Sequence, residues 1–157
     1  MPDSKTLRSA PQLSVYLVNK PGVLAQICQR LADDKIHIFG MSMMDATEHG
    51  VLRLVVDDTR RARESLSVID VPTSETDVLL TPLPNRPGAL ADVVERLAGA
   101  HINVHYAYLT TAERGGKTLG VFKVSNLDRA VQVLSERTPR RRQSTKPARS
   151  DDRVRRK

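Results

Sequence analysis

"NKPGVLA" at residues 19–25 returns as "NRPGALA" at residues 85–91. Working outward, "LSVYLVNKPGVLAQICQRLADDKIHI" from Leu13 aligns with "LLTPLPNRPGALADVVERLAGAHINV" from Leu79 without a gap, at an offset of 66 residues. Beyond a turn the offset becomes 68, which matches "VVDDTRRARESL" (55–66) to "KVSNLDRAVQVL" (123–134). A period of this length marks a duplicated structural unit, and a two-residue insertion is best tolerated in a turn.

Each copy reads as strand, helix, strand, turn, strand, helix. In the first, "LSVYLV" is an apolar strand, and Leu24, Ile27, Cys28 and Leu31 fall on one stripe of a helix. "IHIFGMSM" and "VLRLVV" form a hairpin across "DATEHG", with Gly50 supplying the turn. Asp58 or Thr59 caps a second helix with Ala62, Leu66 and Ile69 inward. The second copy repeats this with Leu90, Val93, Val94 and Leu97, then "INVHYAYL" and "TLGVFKV". Its last helix is capped near Asn126 and carries Ala130, Val131 and Leu134. "VPTSETDVLLTPL" is extended, so one strand closes the first unit and opens the second without a hinge. The reading predicts an N-terminal segment (1–12), a first unit (13–76), a second unit (77–136) and a basic disordered tail (137–157).

The net charge of +7 over 157 residues is concentrated at one end. Ten Lys/Arg and two Asp lie from Arg137 onward, leaving fifteen basic and sixteen acidic groups in the other 136 residues. The body is therefore nearly neutral. The tail's prolines, polar residues and charge offer nothing to a core, so the second unit lacks its own last strand and one sheet edge is left short unless a second chain covers it. Such tails bind nucleic acid through counterion release, but no aromatic is interleaved to stack on bases, so the signal for nucleic acid is weak. A single cysteine, Cys28, excludes a disulfide framework within the chain. With no apolar run of membrane-spanning length and no signal-peptide core, a cytoplasmic protein without a membrane partner is expected.

Proline is suited to the start of a helix, where its missing N–H is not required. A following glycine lets another group approach the free N–H donors there, which carry partial positive charge and bind carboxylates. The carbonyl of Asn19 or Asn85 can accept from an amine, so the motif suits a zwitterionic amino acid. Fifteen residues after each glycine stands a polar residue, His37 or Asn103, which if buried requires a partner.

These tandem N-x-P-G-x-L-A units, followed by "KIHI" and "HINV", resemble ACT domains, the βαββαβ modules that bind amino acids and regulate metabolic enzymes. The resemblance covers Leu13 to Glu136 and is closest to small proteins made of two ACT units without a catalytic domain. It implies an α+β chain of two ferredoxin-like units, with antiparallel sheets and helices on one face. It also implies an amino-acid ligand at the interface between units, bound by Asn19, Gly22, Val23 and Leu24 in one loop and Asn85, Gly88, Ala89 and Leu90 in the other. Asn103 matches the second-strand Asn of serine-binding members, and His37 occupies that place in the first unit. A homodimer and a regulated enzyme are the partners it implies. A role as a regulatory subunit like the small subunit of acetohydroxyacid synthase, or association with nucleic acid through the tail, are the alternatives.

Other groupings carry less chemistry. His101 and His105 stand at a strand entry, roughly 13 Å apart if fully extended, and do not share a metal unaided. Asp57 and Asp58 read as helix-capping residues. Met41, Met43 and Met44 read as sheet-face packing, with Met41 or Met43 alternatively lining an adaptable pocket. Cys28 reads as a buried thiol. Gly115–Gly116–Lys117 lacks the framework of a phosphate loop and reads as a hairpin turn. No catalytic set emerges, so no enzyme, cofactor or metal is expected.

Overall fold

The computed structural model describes residues 7–44, 49–110 and 117–136. Its elements run β1 (Arg8–Val18), α1 (Val23–Asp33), β2 (Ile38–Met44), β3 (His49–Val56), α2 (Thr59–Ser67), β4 (Thr73–Pro84), α3 (Ala89–Gly99), β5 (Val104–Leu109), β6 (Lys117–Val124) and α4 (Leu127–Ser135). This is the order βαββα twice over, with β4 closing the first βαββαβ unit as it opens the second, an α+β ferredoxin-like pair. The units do not keep separate sheets: all six strands form one antiparallel sheet in the order β2-β3-β1-β4-β6-β5.

The seam of that sheet corrects the sequence reading. β1 begins at Arg8, inside the segment assigned to the N-terminus, and Arg8–Val15 pairs with Leu80–Thr73 of β4. Leu13–Val18 pairs with β3, so the first five residues of β1 extend past it. They stand beside β4 where a fourth strand of the second unit would lie, and the edge expected to be short is covered by the chain's own start. β4 reciprocates: its first half lies against β1, while Leu79–Pro84 pairs with β6. Pro11 and Pro82 fall where their strands have a ladder partner on one side only. Strand proline is tolerated there because its missing N–H leaves no gap in a two-sided ladder.

The helices cover one face. Ile27 and Leu31 of α1 and Leu66 of α2 pack on Leu13, Val15, Leu17, Leu52 and Leu54; Leu97 of α3 and Ala130 of α4 pack with Leu79, Ile102, Phe122 and Val124. Strand alternation sends Val55, Val78, Leu80, Leu119 and Val121 to the other face, where they form a third cluster with Ala10, Phe39 and Tyr108. That face is closed by the sheet's own curl. A Cβ added to Gly40 on edge strand β2 would stand 2.8 Å from Thr110 Cγ2, just past the end of the opposite edge strand. Glycine at 40 is what lets the two edges come together.

At the centre of this second core sits Gln12, fully buried. Its amide donates to Tyr106 Oη at 2.8 Å, and its carbonyl accepts from Tyr108 Oη at 3.0 Å. The Arg53 guanidinium stacks on the Tyr106 ring at 4.1 Å. Gln12 was assigned to the N-terminal segment by the sequence reading, because its partners stand more than ninety residues away.

Helix starts follow the expected capping: Asp58 accepts from the Arg61 amide and Asn126 from the Arg129 amide, each at 3.0 Å. α3 ends as His101 turns left-handed at φ 57°. Gly50 is not a turn residue; it pairs with Leu17 inside β3. Cys28 is half-buried rather than buried. The turn expected at Gly115–Gly116 and the basic tail lie outside the described residues. Among the described residues no helix is long and apolar enough to cross a membrane, and no group of three His, Cys, Asp or Glu is placed to hold a metal.

Two outcomes follow for stability. Gly40→Ala forces Thr110 aside and should cost about 1–3 kcal/mol in urea unfolding. Tyr108→Phe leaves the buried Gln12 carbonyl without its donor, a loss of about 1–3 kcal/mol at neutral pH. Burial, with Tyr106 adding to it and Arg53 opposing, raises the Tyr108 pKa in the folded protein. Its proton is then held more tightly when folded than when unfolded, so this contribution is complete below about pH 10 and is lost as pH rises above it. The alkaline fall in stability should be shallower in Tyr108→Phe than in the wild type.

Candidate functional site

Each repeated motif forms a strand-to-helix loop. Gly22 and Gly88 are the N-caps of α1 and α3, both left-handed, at φ 91° and 84°. Glycine is needed here for backbone conformation as well as for space. Pro21 and Pro87 precede the caps rather than starting the helices, which begin two positions later at Val23 and Ala89. The N-cap glycines themselves supply no side-chain cap. The Val23 and Ala89 amides donate to the Lys20 and Arg86 carbonyls at 3.3 Å, and the helix dipole favours an anion at the amides that follow.

The two loops differ in access. Around Gly22 nothing lies within 4 Å of an added Cβ. At Gly88 the Arg86 side chain comes to 3.6 Å, donates to the Pro87 carbonyl and pairs with Asp92 on the first turn of α3. The residue between Asn and Pro thus folds over the second loop, while Lys20 in that position leaves the first open. Val23 and Leu24 are half-buried against the first unit's core. Ala89 is buried, and Leu90 is exposed.

Beside each loop runs an exposed apolar stripe. Met41 and Met43 pair with Leu54 and Leu52, residues of the helix-covered core, and so share their face of β2. They are nevertheless 48% and 41% exposed, which corrects their assignment to packing. In the second unit Ala107 and Leu109 occupy the matching places on β5, and Leu109 is 49% exposed, as are Leu90 and Val94 of α3 in good part. Both stripes lie on the edge strands of the sheet.

His37 and Asn103 do not join the loops. Ile38 pairs with Val56 at one end of β3, and Val18, just before the Gly22 loop, pairs with His49 at the other. Seven strand steps separate those ends, about 23 Å. β6 separates Asn103 from the Gly88 loop in the same way, since Val124 pairs with Val104 and Lys117 with Pro84. Both residues are exposed, so neither side chain carries the partner requirement of a buried polar group. Their backbones are clamped instead. The His37 amide donates to Asp57 Oδ1 at 3.0 Å and its carbonyl accepts from the Asp57 amide at 3.1 Å; the Asn103 amide donates to Ser125 Oγ and its carbonyl accepts from the Ser125 amide. These bonds use only the main chain of residues 37 and 103, with Asp57 and Ser125 supplying the side-chain acceptors.

The described residues also enclose an open cleft of about 580 Å3 between the start of β1, the end of β3 and the N-terminus of α2. No motif marked it, because its walls come from stretches that are far apart in the chain.

The family model of the ACT domain pair matches residues 8–140. Among solved structures, protein BT0572 from Bacteroides thetaiotaomicron is 30% identical, with 82% of this chain and 88% of that chain covered at a TM-score of 0.76. The ligand-free regulatory subunit of aspartate kinase from Thermus thermophilus shares the fold at 14% identity, with 82% and 95% covered and a TM-score of 0.60. No curated protein matches.

Gly22→Ala should destabilise the protein by about 1–2 kcal/mol through its left-handed backbone alone, since the space around it is empty. Gly99→Ala, also in open space but with an ordinary helical backbone, should cost nothing. Paired urea melts compare the two.

Proposed function

The chain belongs to the family of ACT domain pairs, and from that membership we propose that it is a non-catalytic regulatory protein that binds a free amino acid at a seam between ACT units. The observation that carries this reading is the repeated helix start with a left-handed glycine N-cap at Gly22 and Gly88, each beside an exposed apolar stripe on an edge strand. The ligand carboxylate lies on the first-turn amides of α1 or α3, where the helix dipole favours it. Its ammonium meets the carbonyl of Asn19 or Asn85, and its side chain lies along Leu24 and Met43, or Leu90 and Leu109.

The seam is between protomers. Within one chain the units are joined through β1 and β4 at the centre of the sheet, and the stripes are on β2 and β5, its two edges. A second copy covering these edges completes both the apolar stripe and the pocket. His37 and Asn103 enter such a site only from the partner protomer. The open Gly22 loop is the better candidate for occupancy, because Arg86 overlies the Gly88 loop. Binding that favours one arrangement of protomers is then passed to a regulated enzyme.

Thermal unfolding of the full chain with each of the twenty amino acids tests the reading. A ligand at one hundred times its Kd stabilises by about 2.7 kcal/mol, enough to raise Tm by several degrees. A selective rise with one or a few amino acids is the expected result, with a dimer in sedimentation equilibrium. No rise with any of them contradicts amino-acid binding, and a monomer with undiminished binding contradicts the seam.

A further inference from the structure

The two ends of the helix-free face carry opposite chemistry. At one end the third apolar cluster fills the curl of the sheet. At the other the face opens to water: Gln12 is buried, Ser14, Arg53, Tyr106 and Lys123 are half-buried, and Tyr16 and Ser74 stand exposed at the rim. Strand register brings these side chains together. Arg53 lies between Ser14 of β1 and Ser42 of β2, directly opposite both. Residues opposed in this way share a face, with Cβ atoms about 4.5–5.5 Å apart. The Arg53 guanidinium lies 4.1 Å over the Tyr106 ring, and Tyr106 is paired with Lys123 of β6. Tyr106 therefore adjoins both cations.

These cations have no anion beside them. The described strands carry two carboxylates, Glu75 and Asp77 of β4, and alternation puts both on the helix-covered face, with Glu75 opposite Leu13 of the first core. No carboxylate pairs with Arg53 among the described residues. Its Nε is buried without a hydrogen-bond partner, so a ligand would use the terminal pair of nitrogens. The Lys123 ammonium meets two uncharged oxygens, Thr76 Oγ1 at 3.5 Å and the Asp77 carbonyl at 3.2 Å, which leaves one of its three N–H groups to donate. Tyr106 Oη accepts from Gln12 and keeps its own O–H as a donor.

The internal repeat supplies a comparison within the same molecule. Arg53 between Ser14 and Ser42 in the first unit corresponds to Val121 between Leu80 and Tyr108 in the second, in the same register. Lys123 paired with Tyr106 corresponds to Val55 paired with Gly40. Val55, Leu80 and Val121 are buried in the third apolar cluster, which is all that packing requires of these positions. Their counterparts forgo that burial and set two cations and several hydroxyls at the open end instead.

We infer that the open end of the helix-free face is an oxyanion site that takes a phosphate group, as the free ion or as a small monoester. Arg53 and Lys123 supply the charge, and Tyr106, Ser14 and Ser42 supply hydroxyl donors. Two cations without a carboxylate match a dianion and give the ammonium of a zwitterion no partner, so this ligand differs in class as well as in place from the one at the seam. A tetrahedral group with several acceptor oxygens also suits donors that converge from several strands, and the planar guanidinium fork engages two of those oxygens at once.

Calorimetric titration of the full chain with inorganic phosphate and with glycerol 3-phosphate, at fixed ionic strength, tests this in the wild type, Arg53→Gln, Arg53→Lys and Lys123→Met. The expected result is saturable binding of at least one probe, with a Kd that rises at least tenfold in Arg53→Gln and several-fold in Lys123→Met. Arg53→Lys keeps the charge without the planar fork and should recover only part of the loss. Lys123 lies on another strand and does not stack on Tyr106, so its variant reports on the site even if Arg53→Gln perturbs folding. Tighter binding of inorganic phosphate assigns the site to the free ion, and tighter binding of glycerol 3-phosphate assigns it to a monoester. Wild-type affinity in both Arg53→Gln and Lys123→Met overturns the site and leaves the basic sequence from Arg137 onward as the binder. No saturable binding of either probe also overturns it. The response to amino acids proposed for the loops should be the same in Arg53→Gln as in the wild type, so the two readings stand or fall separately.

Discussion

The reciprocal pairing of β1 with β4 is the constraint on which the rest of the molecule depends. Each strand is longer than its own unit requires, and each lends its first half to the other unit. Two small units of this size each bury too little surface to be robust alone. Joined through eight paired positions at the centre of one sheet, they share backbone hydrogen bonds where a flexible linker would share none. The curl of that sheet then brings its edges together on the helix-free side. Gly40 permits the approach, and Gln12 with Tyr106 and Tyr108 satisfies the polar groups it buries.

That construction determines where binding can occur. Because the centre of the sheet is occupied by the seam, the glycine-capped helix starts and their apolar stripes are displaced to the outer edges. The same overhang of β1 that completes the second unit creates the charged cleft beside the end of β3. Both features therefore arise from one architectural fact. A ligand at a glycine-capped loop would act on an element continuous with the other unit, as coupling between two units requires.

The repeat, the order of elements, the capping by Asp58 and Asn126 and the glycine loops are local, and a chain read in windows reveals them. What stayed hidden depends on distant partners. "RSAPQ" at residues 8–12 contains a proline and few apolar side chains, so nothing in it announces a strand; its structure comes from Thr76–Leu80, nearly seventy residues on. Gln12 reads as a surface residue until two tyrosine hydroxyls from the far edge strand reach it. The methionines of β2 carry the alternation of a packed strand, yet the helices stop short of the edge and leave them exposed. His37 and Asn103 are legible as a repeated polar position, but the clamp that holds their backbones comes from Asp57 and Ser125, 20 and 22 residues on.

Native-state hydrogen exchange of the full chain, resolved to single amides, tests the shared sheet most directly. Amides of the 8–12 stretch that face β4 should exchange as slowly as those of Leu13–Leu17, because the same cooperative sheet holds both. Fast exchange throughout residues 8–12, with β4 and β6 still protected, would mean that the second unit closes without β1, and would contradict the account.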